Sequence, residues 1–473
     1  MPDRILLPLI VACALFMENL DSTVLATALP AIAADFGANP IHLKLALTSY
    51  LLALAVFIPA SGWLADRYGA RTIFRLAIVV FTLGSIACGL TSSIPEIVAA
   101  RIVQGIGGSM MMPVGRLVIL RSVAKHELVG SLAWLTVPAL IGPLVGPPVG
   151  GFITTYFEWR WIFWINVPVG IVGITLATLY FPDIRGEANV RFDRTGFLLS
   201  AFGLAMFMAG STTIGLNLFP AGYALVLLLV GAGLLAAYVL RSRRVDHPII
   251  DLSLLRIPTL GTSILGTLLF RIGVGATPFL LPLLLQAGFG LSPFESGMIT
   301  FAAAIGAIAM KFAAPPILRR FGFRNVLIVN AVIAGGFVML PAAFTPATPV
   351  VLMTGLLLVG GFFRSLQFTS VNALAFADIP DDRMSRATTL TSVAQQLSLS
   401  IGVSVGAVAL ELTVEATGGT IGPASFVPAF LVVGGLTILS ALPFALLARD
   451  AGREMSGHRR IAPDPVTVMR DRG

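Results

Sequence analysis

Glu18 and Asp21 lie three residues apart inside an apolar run that begins near Ile5. On a helix that spacing puts both carboxyls on one face. A carboxylate surrounded by hydrocarbon costs at least a few kcal/mol and is functional by default. Arg101 and Gln104 show the same spacing in a later apolar run. If the two runs are antiparallel helices, the helical rise puts Asp21 roughly 10 Å and Arg101 roughly 9 Å below one surface, hence at one level. Burial favours the neutral acid and a nearby guanidinium favours the charged one. A group held between the two can load and release a proton as water access changes, although a static ion pair has the same composition. Arg271 and Arg364 fall roughly 18–20 Å from the ends of their apolar runs, and Glu18 about 20 Å from the start of its own. These three, with Gln367, are candidates for substrate binding near a membrane midplane, or for a cluster that only neutralises charge. Arg116 and Lys311 are nearer to helix ends and can snorkel to the interface. Proton exchange and charge recognition are the chemistry on offer. The four histidines have no ligand spacing, Cys13 and Cys88 both sit in apolar runs, and no H-E-x-x-H motif or nucleophile constellation is present. Neither an enzyme, a cofactor nor a metal site is expected.

The elements that position these residues follow from composition. Hydrophobic residues make up 56% of the 473 and charged residues only 11%, against about 25% charged in soluble proteins. This excludes an ordinary cytosolic enzyme, a disordered chain and a nucleic-acid-binding domain, so the net charge of +8 is expected to mark one side of a membrane. A spanning helix needs about 20 apolar residues, and the runs predict fourteen: 5–28, 43–65, 72–90, 95–118, 128–153, 162–181, 194–213, 219–240, 259–286, 294–317, 324–342, 348–376, 387–413 and 426–449. With the N-terminus inside, 24 of the 31 basic residues fall on the cytoplasmic side, while Lys44 and Arg160 alone fall in outer gaps. A miscount of one helix would scramble that alternation. The first run is too long for a cleaved signal peptide.

An internal repeat organises the spans. At a shift of 253 residues, Arg67, Tyr68, Gly69 and Arg71 meet Arg320, Phe321, Gly322 and Arg324, and Gly107–Gly108 meet Gly360–Gly361. The plan is an all-α membrane protein of fourteen transmembrane helices, made of two six-helix bundles and an inserted pair. The expected divisions are residues 1–181, a two-helix hairpin with flanking cytoplasmic loops at 182–257, a second bundle at 258–449, and a disordered cytoplasmic tail at 450–473. Repeated halves are how many secondary transporters are built.

Four motifs carry a resemblance. The loop from Gly62 through Asp66, Arg67 and Gly69 to Arg71 reads G-W-L-A-D-R-Y-G-A-R. The first helix has M-E-N-L-D-S-T-V-L-A-T-A-L-P at 17–30, and the fourth has R-I-V-Q-G-I-G-G at 101–108. The fifth has P-A-L-I-G-P-L-V-G-P-P-V-G-G at 138–151, where Gly142, Gly146 and Gly150 bare one helix face and Pro143 and Pro147 interrupt its N–H ladder. Together they resemble the major facilitator superfamily, in particular its 14-helix drug:proton antiporter group. Ala26 and Thr27, where that group has Asn-Val, depart mildly from it.

The resemblance implies a proton-coupled antiporter that exports small molecules by alternating access, in the bacterial inner membrane, with both termini cytoplasmic. It is expected to act as a monomer whose partners are its substrate, protons and lipid, without nucleic acid. Asp21, Arg101, Glu18 and Gln104 would couple protons. Gly142, Pro143, Gly146, Pro147, Gly150 and Gly151 would be the motif of exporters. The Gly62–Arg71 loop would latch the halves together on the cytoplasmic side. Asp66, disfavoured at a helix C-terminus, would reach the start of the thirteenth helix near Ser385, flanked by Arg383 and Arg386. Two midplane arginines against one glutamate favour an anionic or zwitterionic substrate, such as an organic acid or its metal chelate, whereas the family label suggests drugs. A membrane sensor or scaffold without transport is the reading from another class.

Overall fold

The computed structural model describes residues 3–122, 128–185, 192–213, 221–245, 248–380, 383–418, 420–448 and 450–452, without the side chains of 3–5, 120, 128–140, 143, 221 and 385. The tail beyond Gly452, with Lys125, Arg191 and Arg449, lies outside the described residues.

Backbone groups in lipid must be satisfied within the chain, so apolar runs of this length become helices. The described chain is 86% helix with no strand. The first elements are α1 (Asp3–Asp35), α2 (Lys44–Tyr68), α3 (Ala70–Gly89), α4 (Ile94–Ser122), α5 (Leu128–Tyr156), α6 (Trp161–Trp164) and α7 (Asn166–Tyr180). The pair α8 (Arg194–Thr213) and α9 (Ala221–Ser242) follows. Then come α10 (Pro258–Gly275), α11 (Thr277–Leu283), α12 (Pro293–Met339), α13 (Val350–Ala375), α14 (Met384–Ala416), α15 (Phe426–Leu439) and α16 (Ala441–Ala445).

Twelve helices among the described residues are long and apolar enough to cross a membrane. The chain is therefore a multi-pass membrane protein, with a count that differs from the fourteen expected. Two elements bear on the count. Much of α5 lacks described side chains, and α12 covers 47 residues across a kink. Straight, α12 would be about 70 Å long, twice a hydrocarbon core. It turns at Gly322, whose φ of 70° and ψ of 163° are not helical.

Three boundaries also moved. The first helix continues to Asp35, where Arg160 (3.0 Å) and Trp159 Nε1 (3.2 Å) hold its last carboxylate. The run at 162–181 breaks at Ile165 into α6 and α7. The run at 259–286 breaks at Ala276 and ends in a π-helical turn, Leu284–Gly288. Broken helices of this kind border binding sites in transporters.

The 253-residue repeat is visible in contacts. A Cβ on Gly108 would meet the Tyr50 hydroxyl, and one on Gly361 would meet the backbone of Ala303. Gly105 faces Ala53, and Leu358 faces Gly306. Each pair maps onto the other at the same shift. Gly69 and Gly322 match too, with φ of 91° and 70°. Both need the left-handed region that only glycine enters freely.

Candidate functional site

Asp21 is buried at the centre of a polar network. Its Oδ2 accepts from Arg101 Nη1. Its Oδ1 accepts from Gln104 Nε2 at 2.8 Å and from Asn166 Nδ2 at 2.9 Å. Ser85 Oγ accepts from both amides, at 2.7 and 3.2 Å. Arg101 is fully buried; its Nε donates to the Ala46 carbonyl (3.1 Å), and its guanidinium lies 4.2 Å from the centre of the Tyr50 ring. Four helices of the first half, α1, α3, α4 and α7, thus converge on one carboxylate. The antiparallel levels of Asp21 and Arg101 follow from helix geometry. Asn166 and Ser85 do not, although an amide within the apolar run W-I-F-W-I-N-V-P was a signal. The break at Ile165 lets α7 begin with Asn166 turned inward.

Glu18 is half-buried, and its Oε2 has no hydrogen-bond partner among the described residues. No ion pair joins it to Arg271 or Arg364 among the described residues. The midplane cluster expected from matching depths is therefore not formed: equal depth does not set the direction in which side chains leave their helices. Arg271 instead lies over Phe368, 4.4 Å from the ring centre, with its Nε buried and unpartnered. Arg364 borders a cavity of about 240 Å³ between α1 and α5 on one side and α11, α12 and α13 on the other. Gln367 is fully buried away from that cavity. It accepts from Asn330 Nδ2 at 2.8 Å and donates to the Leu327 carbonyl at 3.1 Å, clamping α13 to α12. Lys311 donates to Thr369 at 2.7 Å.

The glycine stripe of α5 packs on α1. A Cβ on Gly142 would lie 3.0–3.1 Å from Asn19, Leu20 and Phe16, while one on Gly146 or Gly150 would overlap Thr23 or Thr27. The other side of the same motif touches the second half: Gly151 faces Pro293 and Phe294, and Gly297 faces Pro147. Pro143 has no described side chain.

The Gly62–Arg71 loop is held within the first half. Asp66 Oδ1 pairs with Arg121 Nη1 of α4 at 2.7 Å, rather than with the expected start of the helix at Met384. Both ions sit at the end of the bundle, where α2 and α4 finish together. Arg71 Nε donates to the Phe181 carbonyl, and Ala70 N–H donates to Ile184 O at 2.9 Å. Gly62 is open to space and Arg67 is exposed. Arg386, one of the expected latch partners, reaches Asp251 at 3.4 Å.

One pair was missed. Lys44, expected in an outer gap, is fully buried at the start of α2, with Nζ 3.8 Å from Glu411 Oε2 of α14. Neither atom has a closer hydrogen-bond partner among the described residues. Nearby, Gln286 Nε2 donates to the Thr27 carbonyl at 3.0 Å. The two halves meet here, at the end where α1 finishes. A lone Lys and a lone Glu 367 positions apart carry no sequence signal of pairing.

An all-helical membrane chain whose contacts repeat at a shift of 253 residues, around a cavity bordered by helices of both repeats, has the architecture of a secondary transporter. The chain belongs to the Major Facilitator Superfamily, whose sequence profile matches residues 11–403 and again 263–469. Over 461 residues it is 37% identical to proteins provisionally named multidrug resistance protein MdtD in Salmonella heidelberg (strain SL476) and Salmonella typhimurium (strain LT2), covering 95% of this chain and 96% of theirs. Its fold is similar to that of a D-xylose-proton symporter (TM-score 0.65, 16% identity, 94% of this chain and 98% of that one). It is also similar to the human organic anion transporter MFSD10 (TETRAN) (TM-score 0.62, 14% identity, 94% and 100%). These relatives are transporters, not enzymes.

Proposed function

We propose that this protein is a proton-coupled antiporter that exports small molecules by alternating access. The observation that carries the reading is the buried Asp21 carboxylate, held by donors from Arg101, Gln104 and Asn166. Those donors come from α4 and α7, so any movement of α1 against either helix removes contacts to the carboxyl, which ties the state of Asp21 to conformation. Glu18, on the same face of α1 with an unpartnered oxygen, is the second proton carrier.

The remaining parts fit that cycle. The α5 glycines bring α1 and α5 into contact, and Gly151 and Pro147 meet α12 at the same end. Together with Lys44–Glu411 they close one side of the molecule. The Gly62–Arg71 loop, tied to α4 and to the chain after α7, makes the opposite end of the first bundle rigid, so that it moves as one piece. Counting α5, and dividing α12 at Gly322, gives fourteen spans, with α8 and α9 as the inserted pair. Both termini then face the cytoplasm of a bacterial inner membrane, the closed side faces out, and the protein works as a monomer.

The test is Asp21→Asn in proteoliposomes. The variant is expected to lose pH-gradient-driven transport, with the rate falling at least about tenfold, while still catalysing gradient-free exchange of substrate. Wild-type gradient-driven transport by Asp21→Asn would move the proton site to Glu18.

A further inference from the structure

The cavity between the halves has an unusual charge pattern. Arg364 borders it without an ion pair or hydrogen bond to any described residue. Phe368 lies one turn further along α13, on the same face, and Arg271 stacks on its ring. Two guanidinium groups therefore share one side of the seam, with no carboxylate among the described residues in contact with either. An unpaired charge at this depth costs several kcal/mol, and a protein that keeps two gains only if something neutralises them in use.

The rest of the wall is almost wholly apolar, with Pro147, Leu281, Ala307, Phe337 and Leu357 among its residues. The hydroxyls of Thr23, Thr27 and Thr300 point back to carbonyls of their own helices at 2.8–2.9 Å. Thr277 is the exception. It opens α11, just after the break at Ala276, and its Oγ1 is buried without a partner. The cavity thus offers one charged donor and hydrocarbon, with one unpartnered hydroxyl buried in its wall. About 240 Å³ is below the usual 300–1,000 Å³ of drug-sized sites.

We infer that this cavity is the substrate seat and that it takes a small organic monoanion with an apolar body, such as an aryl or medium-chain carboxylate or sulfonate. Arg364 holds the head through paired N–H donors, Thr277 donates to the same head, and Arg271 adds its field from behind Phe368. The apolar walls take the body. A polyanion or a metal chelate finds too few donors here, and a lipophilic cation meets two like charges. The inference rests on the transport reading above and names its substrate class.

Equilibrium binding tests it without any gradient. The full-length protein in nanodiscs is titrated with 2-naphthoate, 2-naphthalenemethanol and 2-naphthylmethylammonium, which share one ring system and differ in charge. The expected result is binding of the naphthoate at least about tenfold tighter than the other two. Arg364→Gln should abolish that preference, Arg364→Lys should keep part of it, and Thr277→Val should weaken naphthoate severalfold. Size-exclusion profiles report folding. If Arg364→Gln does not fold, Arg364→Lys and Thr277→Val decide. Equal affinity for the three probes, no binding of naphthoate, or variants that bind it like wild type would overturn the inference. Naphthoate that binds with the expected preference but is not moved by a pH gradient would leave the monoanion site standing and count against the transport reading.

Discussion

Lys44 and Glu411 show how much a single buried pair depends on its partner. At 3.8 Å, with Lys44 fully buried, the ammonium has lost its water and holds one carboxylate in exchange. Removing one member leaves the other charge stranded, which costs about 3–5 kcal/mol, whereas replacing both by apolar residues is often neutral. Lys44→Met alone should therefore lower thermal stability in detergent strongly, and Lys44→Met with Glu411→Leu should recover most of it. Thermal unfolding of the two single variants and the double variant measures the coupling. Additive losses would show that the pair does not interact. Of the charged residues in the interior, the sequence made Asp21 and Arg101 legible as partners because helical rise sets their depth. It left Glu18, Arg271 and Arg364 grouped by depth alone, and the structure separates them because azimuth around each helix is set by packing.

At the scale of elements, the α1–α5 contact is where small residues matter most. A Cβ on Gly150 would lie 2.7 Å from the Val24 carbonyl, a backbone atom that cannot rotate away. Gly336 of α12 has nothing within 4 Å. Overpacking a close helix contact costs about 1–3 kcal/mol, so Gly150→Ala should lower stability and slow transport, while Gly336→Ala should be neutral or slightly stabilising through helix propensity. Melting curves and uptake rates of the two alanine variants check this. Equal effects would mean that the α5 glycines serve the α5 backbone rather than its approach to α1. The four-residue glycine spacing was readable because it repeats with the helix. The partner of that face was not, since any helix could have filled it.

For the whole molecule, the arginines at the α2–α3 turn, the end of α4, and the start of α8 share one end, while Lys44 and Arg160 belong to the other. Positive residues stay on the cytoplasmic side, so a reporter active only in the cytoplasm and fused after Gly473 should be active, and one active only in the periplasm should be silent. The reverse pattern would overturn the proposed orientation. Turning points at Gly69 and Gly322, both with positive φ, mark the same place in the two halves, so orientation of one half fixes that of the other.

The sequence by itself determined the all-helical membrane class, the superfamily, the repeat at 253 residues and the identity of the buried acid. Each is carried by composition, by short-range spacing or by a periodicity along one helix. Only the tertiary structure decided that Asn166 and Ser85 complete the Asp21 network, that Asp66 pairs with Arg121, that Gln367 clamps two helices, and that Arg364 faces a cavity while Glu18 does not reach it. Those facts depend on which face of each helix meets which neighbour. In a chain with few polar residues, that choice rests on close contact between small and apolar side chains, for which no local pattern in the sequence is specific.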